Sequence, residues 1–150
     1  MEIRDDLKAA GCESVFLDVS ALSGDMTAAM RKHLAESDRV IVICTPVYSK
    51  RIQLSSSNVG YEFEKTCEKR AADPGCVYPL WLAGEFASAV PEVFRSETVY
   101  DCRDAFRHTI QLLVKKFIRS FIFCIHLKNI FCQINANYAN IMHNSLSYGK

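Results

Sequence analysis

The chain has 150 residues, which suits one domain and is too short for two ordinary ones. Hydrophobic residues make up 49% and charged residues 23%, enough apolar side chain for a core and outside the regime of disordered chains. The net charge of +1 excludes a uniformly basic, nucleic-acid-binding surface.

That near-neutral total hides an asymmetry. Twelve of the 18 basic residues and all 17 acidic ones fall in residues 1–104, leaving that part at −5, while 105–150 carries the other six basic residues and no acid. The seven cysteines (Cys12, Cys44, Cys67, Cys76, Cys102, Cys124 and Cys132) are odd in number and irregularly spaced. With no CxxC pair, neither a zinc ribbon nor a thioredoxin-like motif is supported, and no metal constellation appears. Free thiols used as small buried hydrophobes in a reducing, cytoplasmic setting fit this usage best. The charged first dozen residues read as a helix, not as a secretory signal. The most apolar run, Phe117 to Ile134, contains Arg119, His126 and Lys128. Central charges cost about 2.5–3.5 kcal/mol each on insertion scales, so the run is not expected to span a membrane.

In chain order, Met1–Ala10 reads as a short helix with Ile3, Leu7 and Ala10 on one face and Gly11 as its stop. Val15-Phe16-Leu17 is a short strand ending at Asp18. Ser20 to Asp25 is a polar loop, and Ser23 or Asp25 caps a helix with Met26, Met30, His33 and Leu34 on one face. Val40-Ile41-Val42-Ile43-Cys44 is a continuous β-branched run, the signature of a strand buried on both faces of a parallel sheet. Thr45-Pro46 ends it, residues 49–60 read as a long loop, and Tyr61 to Arg70 as a charged helix. Val77 to Leu82 is the next strand, Ala87 to Phe94 a loop or turn, and Thr98-Val99-Tyr100 a brief strand. Asp101 and Asp104 stand in capping-box-like places before a helix striped by Phe106, Ile110, Leu113, Val114, Phe117, Ile118 and Phe121.

Strands alternating with helices predict an α/β fold with a parallel sheet. Ligands of such sheets bind beyond the carboxyl ends of the strands, which directs attention to Asp18–Asp25, Thr45–Glu62 and Ala83–Pro91. From Asn129 onward the chain is rich in Asn, Ile and Phe with no clear period, and residues 118–150 read as an atypical basic and apolar tail.

Five segments in series resemble a Toll/interleukin-1 receptor (TIR) domain of the bacterial-like branch near the SEFIR family. Gly11 with Val15-Phe16-Leu17-Asp18 and Gly24-Asp25 resembles the second strand and the BB loop. Ser37-Asp38-Arg39 through Thr45-Pro46-Val47-Tyr48 resembles the third strand and its exit. Asn58-Val59-Gly60-Tyr61-Glu62 is similar to the start of the third helix, Tyr78 to Gly84 with Val90-Pro91 to the fourth strand, and Tyr100-Asp101-Cys102-Arg103-Asp104 to the last strand and helix. The resemblance covers 1–117 and implies a flavodoxin-like three-layer fold, N-terminally truncated: the family's first strand is missing. In the strand order 2-1-3-4-5 that strand is central, so its loss leaves two strands without their shared neighbour. No clean replacement is expected in 118–150, although Phe121-Ile122-Phe123-Cys124-Ile125 can act as a strand.

The resemblance implies intracellular, cytoplasmic signalling by homotypic TIR–TIR association. The region from Asp18 to Asp25 matches the family's self-association loop. Some family members also act as NAD⁺ nucleosidases, releasing nicotinamide and ADP-ribose, with NAD⁺ as substrate and no bound cofactor. Their glutamate maps onto Glu62, with Glu64 as a backup, stabilising an oxocarbenium-like ribose. Tyr48 and Tyr61 are candidates to stack on a base, and Ser57 to donate to ribose or phosphate. Each residue also has a plain structural reading. Glu62 and Glu64 suit a helix's first turn, the tyrosines suit packing beside the sheet, and the serines suit a solvated loop. Three readings therefore stay open: a signalling module that hydrolyses NAD⁺, a non-enzymatic TIR or SEFIR adaptor, and an inactive fragment.

Overall fold

The computed structural model describes residues 3–9, 14–19, 26–54, 57–121 and 129–134. In chain order its elements are α1 (Ile3–Ala9), β1 (Ser14–Val19), α2 (Met26–Glu36), β2 (Arg39–Cys44), α3 (Pro46–Arg51), α4 (Asn58–Ala72), β3 (Val77–Trp81), α5 (Phe86–Ala89), a 3₁₀ turn at Glu92–Phe94, β4 (Tyr100–Asp101), α6 (Phe106–Phe121) and β5 (Asn129–Ile134). The strands form one five-stranded sheet in the order β1-β5-β2-β3-β4, parallel at every pairing.

The β-branched run at β2 does what its composition predicts. Val40 through Cys44 are buried, and successive side chains feed opposite faces of the sheet. Ile41 and Ile43 join Leu7 of α1, Val15, Tyr78, Leu80, Cys102 and the α6 residues Ile110 and Leu113. Val40, Val42 and Cys44 join Met30 and Leu34 of α2, Tyr48 of α3, Val90 and Phe94, with Phe63 of α4 packed alongside. The fold is thus a three-layer α/β domain, with α1 and α6 on one face and α2 to α5 on the other.

The expected gap in the sheet is not there. β5 lies between β1 and β2, matching Ser14–Val19 to Asn129–Ile134 on one side and Arg39–Val42 to Ile130–Gln133 on the other. The tail read as an unlikely source of a replacement therefore supplies the inner strand. The physical reason is pairing. An inner strand in a parallel sheet carries donors and acceptors on both edges, and leaving two such edges open in a core is costly. The connectivity also keeps one hand. Links from β1 to β2, β2 to β3 and β3 to β4 advance across the sheet in one direction over one face. The link from β4 to β5 runs back, and a crossover that reverses direction keeps its hand only by using the opposite face. Ile110 and Leu113 place α6 on that opposite face.

A proline sits inside β3 without breaking it. Leu82 N donates to the Cys44 carbonyl, so alternation turns the even-numbered β3 amides toward β2 and the odd-numbered ones toward β4. Pro79 is odd-numbered, and β4 pairs only with Leu80 and Trp81. The missing N–H falls where no partner strand has begun, a position that tolerates proline.

Several boundaries differ from those read in the sequence. The supposed loop over 49–60 is helical at both ends, its first three residues belonging to α3 and its last three to α4. Thr45 Oγ1 accepts from Tyr48 N at 3.1 Å and Pro46 opens α3, a capped start with proline in its favoured place. α4 starts at Asn58, not Tyr61, because Ser57 caps it. Ala87 to Phe94 contains α5 and a 3₁₀ turn, and the brief strand is Tyr100–Asp101. Asp101 does not cap α6; its Oδ1 accepts from Arg103 N at 3.1 Å and turns the chain. The polar loop at Ser20–Asp25 lies outside the described residues. Of the strand proposed at Phe121–Ile125, Phe121 ends α6 and the rest lies outside them. Among the described residues no helix is long and apolar enough to cross a membrane.

The inner position of β5 is testable. Ile130→Pro removes a ladder donor from a strand paired on both sides, and is expected to abolish the cooperative urea transition. Ile41→Ala, at a fully buried position, is expected to retain cooperativity and lose about 2–5 kcal/mol.

Candidate functional site

The carboxyl ends of β2 and β3 bring the expected segments together. The β2 exit runs through Thr45 into α3, and the β3 exit turns back at Gly84. Gly84 has a φ of +80°, and a Cβ there would overlap the Pro46 ring, so only glycine lets this turn lie against the start of α3. Ser49 Oγ donates to the Ala89 carbonyl at 2.7 Å and ties α3 to α5. A shallow cleft of about 490 Å³ lies between these elements, lined by Pro46, Lys50, Phe63, Ser88, Pro91 and Arg95 among others. The Arg95 guanidinium is engaged with backbone: Nε donates to the Val90 carbonyl and Nη2 to the Ala87 carbonyl at 2.6 Å.

Glu62 does not line that cleft; its neighbour Phe63 does, and consecutive helical residues point about 100° apart. The Glu62 side chain turns inward with 1% exposure, on the same buried face of α4 as Thr66 one turn on. It also lies in the second turn of α4, since the helix begins three residues before the expected start. The first-turn dipole benefit expected for Glu62 and Glu64 therefore lapses, because that effect falls off within one turn. Glu64 is exposed.

Tyr48 lies beside Glu62 and is 2% exposed. Its ring meets Phe63 edge-on, with centroids 6.5 Å apart. Burial, with smaller contributions from Cys44, Glu62 and Cys67, pushes its phenol well above the usual range, so Tyr48 stays neutral and packed. The Ser57 hydroxyl is engaged in capping. It accepts from Gly60 N at 3.0 Å and donates to the Leu54 carbonyl at 2.7 Å. Gly60 is required at that approach, because a Cβ would stand 2.6 Å from the Leu54 carbonyl oxygen. Tyr61 is half-buried, and Arg31 of α2 sits 4.3 Å from its ring centroid, a cation–π contact that ties α2 to α4. The four candidates are thus brought to one neighbourhood, and each contributes to packing, capping or helix docking.

A second group at the same end of the sheet was not singled out from sequence. Trp81 closes β3 with its indole Nε1 donating to the Gly84 carbonyl at 3.0 Å. The Arg103 guanidinium carbon lies 3.5 Å from the indole centroid, and Phe86 meets the indole edge-on at 5.3 Å. Asp101 holds Arg103 through two side-chain bonds of 3.0 and 2.7 Å. The available signal was the sole tryptophan at a strand end and an acid two residues before an arginine. The four described cysteines Cys44, Cys67, Cys76 and Cys102 are free thiols, as their irregular spacing implied.

No protein-family model, no curated protein and no solved structure matches the chain.

Two chemical tests follow from these surroundings. Burial pushes the Cys44 and Cys102 thiols up to about 12, leaving roughly one thiolate in ten thousand at pH 8. Both are expected to resist a thiol reagent in the native chain and to react promptly in denaturant, which residue-resolved alkylation checks. The bonds from Arg103 lower Asp101 from 3.8 to about 2. A depressed carboxylate contributes stability above its unfolded value, and that contribution is lost as pH falls through the folded value. The window for Asp101 therefore lies between about pH 4 and 2. Arg103→Ala is expected to return the Asp101 titration toward its ordinary range, read by carboxyl-carbon NMR.

Proposed function

We propose that the chain is a TIR-like intracellular signalling module that acts by association with other TIR-type domains and does not cleave NAD⁺. One observation carries the non-enzymatic reading: Glu62, at the position the resemblance makes catalytic, is buried at 1% exposure. A carboxylate that stabilises a ribosyl cation has to face the pocket that holds the sugar. The other candidates support the same reading, with Tyr48 buried and the Ser57 hydroxyl used as a cap. The filled sheet supports a folded module over an inactive fragment. The strand order, with β5 in the central slot, supports the TIR-like reading, because it supplies a neighbour at the place where the family has its first strand. Association needs only surface, and Trp81 and Arg103 offer residue types enriched in interface hot spots, beside Phe86, of a type enriched at interfaces.

Incubation of the purified chain at high concentration with NAD⁺ is expected to release no nicotinamide above a buffer control. Mixing with a complete TIR domain is expected to raise the mass measured by light scattering, and Arg103→Ala to weaken that rise. Nicotinamide release that Glu62→Gln abolishes would restore the NAD⁺ hydrolase reading. No release and no change in mass would remove the signalling reading.

A further inference from the structure

Residues 105–150 hold no acid, and α6 turns that bias into a surface. The helix carries Arg107, Lys115, Lys116 and Arg119 and no Asp or Glu. Its inward side is Thr109, Ile110 and Leu113, all buried. Arg107, His108, Gln111, Leu112, Lys115 and Lys116 are exposed, and at 100° per residue they occupy one continuous arc of about 180° and about 14 Å along the axis. Among the described residues Arg107 and Lys115 have no ion-pair or hydrogen-bond partner, whereas Arg39, Lys65, Arg70 and Arg103 are each paired with an acid. Lys116, at the margin of the arc, donates to the Tyr100 hydroxyl at 2.8 Å. Leu112 lies inside the arc and is 49% exposed. The other helix of this layer, α1, sets Asp5 and Asp6 against Arg4 and Lys8, so it adds no net charge to oppose the cations.

We propose that this face of α6 docks on an anionic lipid bilayer, with Arg107 and Lys115 set against the headgroups and Leu112 entering the headgroup layer between them. Charge complementarity carries the choice of partner. Lys and Arg on a helix face without intervening acid are attracted by the negative potential of an anionic leaflet. An apolar side chain exposed within such an arc adds burial at the acyl boundary. A nucleic acid fits the arc less well, because no Phe, Tyr or Trp stands in it to stack on a base, and Leu112 would face phosphates. The apolar stripe of α6 is used in the core, so the helix stays in place and the domain adsorbs as a folded unit. This inference stands on charge and exposure alone and does not require the TIR-like reading.

Co-sedimentation of the full chain with vesicles tests the proposal. Binding is expected to vesicles of mixed phosphatidylserine and phosphatidylcholine at low salt, to weaken as salt rises, and to be absent from phosphatidylcholine alone. Arg107→Gln and Lys115→Gln are each expected to weaken binding about fivefold, the effect of one cation near an anionic surface. Both side chains are exposed, so the urea midpoint is expected to stay at that of the parent chain. Leu112→Ser is expected to weaken binding at low and high salt alike, because burial of apolar surface is not screened. Lys32→Gln, which removes an exposed cation from α2 in the opposite layer, is expected to leave binding unchanged. No binding to the anionic vesicles at low salt, or equal binding to phosphatidylcholine alone, overturns the proposal. A loss on Lys32→Gln as large as that on Lys115→Gln overturns it as well, since binding would then follow total charge and not this face. Binding of a DNA duplex through Arg107 and Lys115, with none to vesicles, assigns the arc to nucleic acid and removes the bilayer.

Discussion

The arrangement depends on the pairing of β5 with two strands that are otherwise not neighbours. β1 and β2 are linked through α2 and run in the same direction, yet they meet only through β5. Ser14 pairs with Asn129 and Arg39 with Ile130, so the ladders that join the two parts of the sheet close across most of the chain. Closing long loops costs entropy before any contact offsets it. β2, β3 and β4 are assembled from successive crossovers, whereas β1 is joined to them only when the distant strand arrives. The sheet is therefore most local at its β3 side and least local at β1.

The return of the chain to the middle of the sheet explains why α6 has the pattern it does. A crossover that travels back across the sheet has to lie on the face not used by α2 to α5. That face is lined by Ile41, Ile43, Tyr78 and Leu80, and α6 covers it with Ile110 and Leu113, with Phe106 and Val114 alongside. The same face receives Leu7 of α1. A single long amphipathic helix thus covers much of one layer, while four shorter helices share the other. The local charge asymmetry follows the same division, since the acid-free part of the sequence begins at residue 105, just before α6.

Legibility in the sequence tracks how far each feature depends on distant residues. β2 declared itself through five consecutive buried apolar residues, and α6 through a stripe at helical spacing that the structure buries at Ile110 and Leu113. β5 did not, because a six-residue segment opening on Asn and carrying Gln next to its last residue has no period to distinguish strand from helix. Its identity comes from the two edges it satisfies. α3 was missed for a local reason. Thr45-Pro46 reads equally as the end of a strand and as a capped helix with proline in its first turn, and the structure uses it as both. At the candidate site the placement of Tyr48, Ser57, Tyr61 and Glu62 on or beside α3 and α4 follows from two capped helix starts, but the orientation of Glu62 was not legible. A shift of α4's start from Tyr61 to Asn58 changes both the turn it occupies and its relation to the helix dipole.

The site and the inner strand are less tightly coupled than their proximity suggests. β5 is matched to Arg39–Val42 only, and Ile43 and Cys44 run on beyond it. The carboxyl end of β2 is held instead by β3, through Ile43 opposite Leu80, Cys44 opposite Trp81, and the Leu82 amide on the Cys44 carbonyl. From there Thr45 caps α3, Tyr48 packs beside Glu62, and Gly84 seats the β3 exit against Pro46. Each of these contacts lies within the segment from β2 to α5, and none runs through β5.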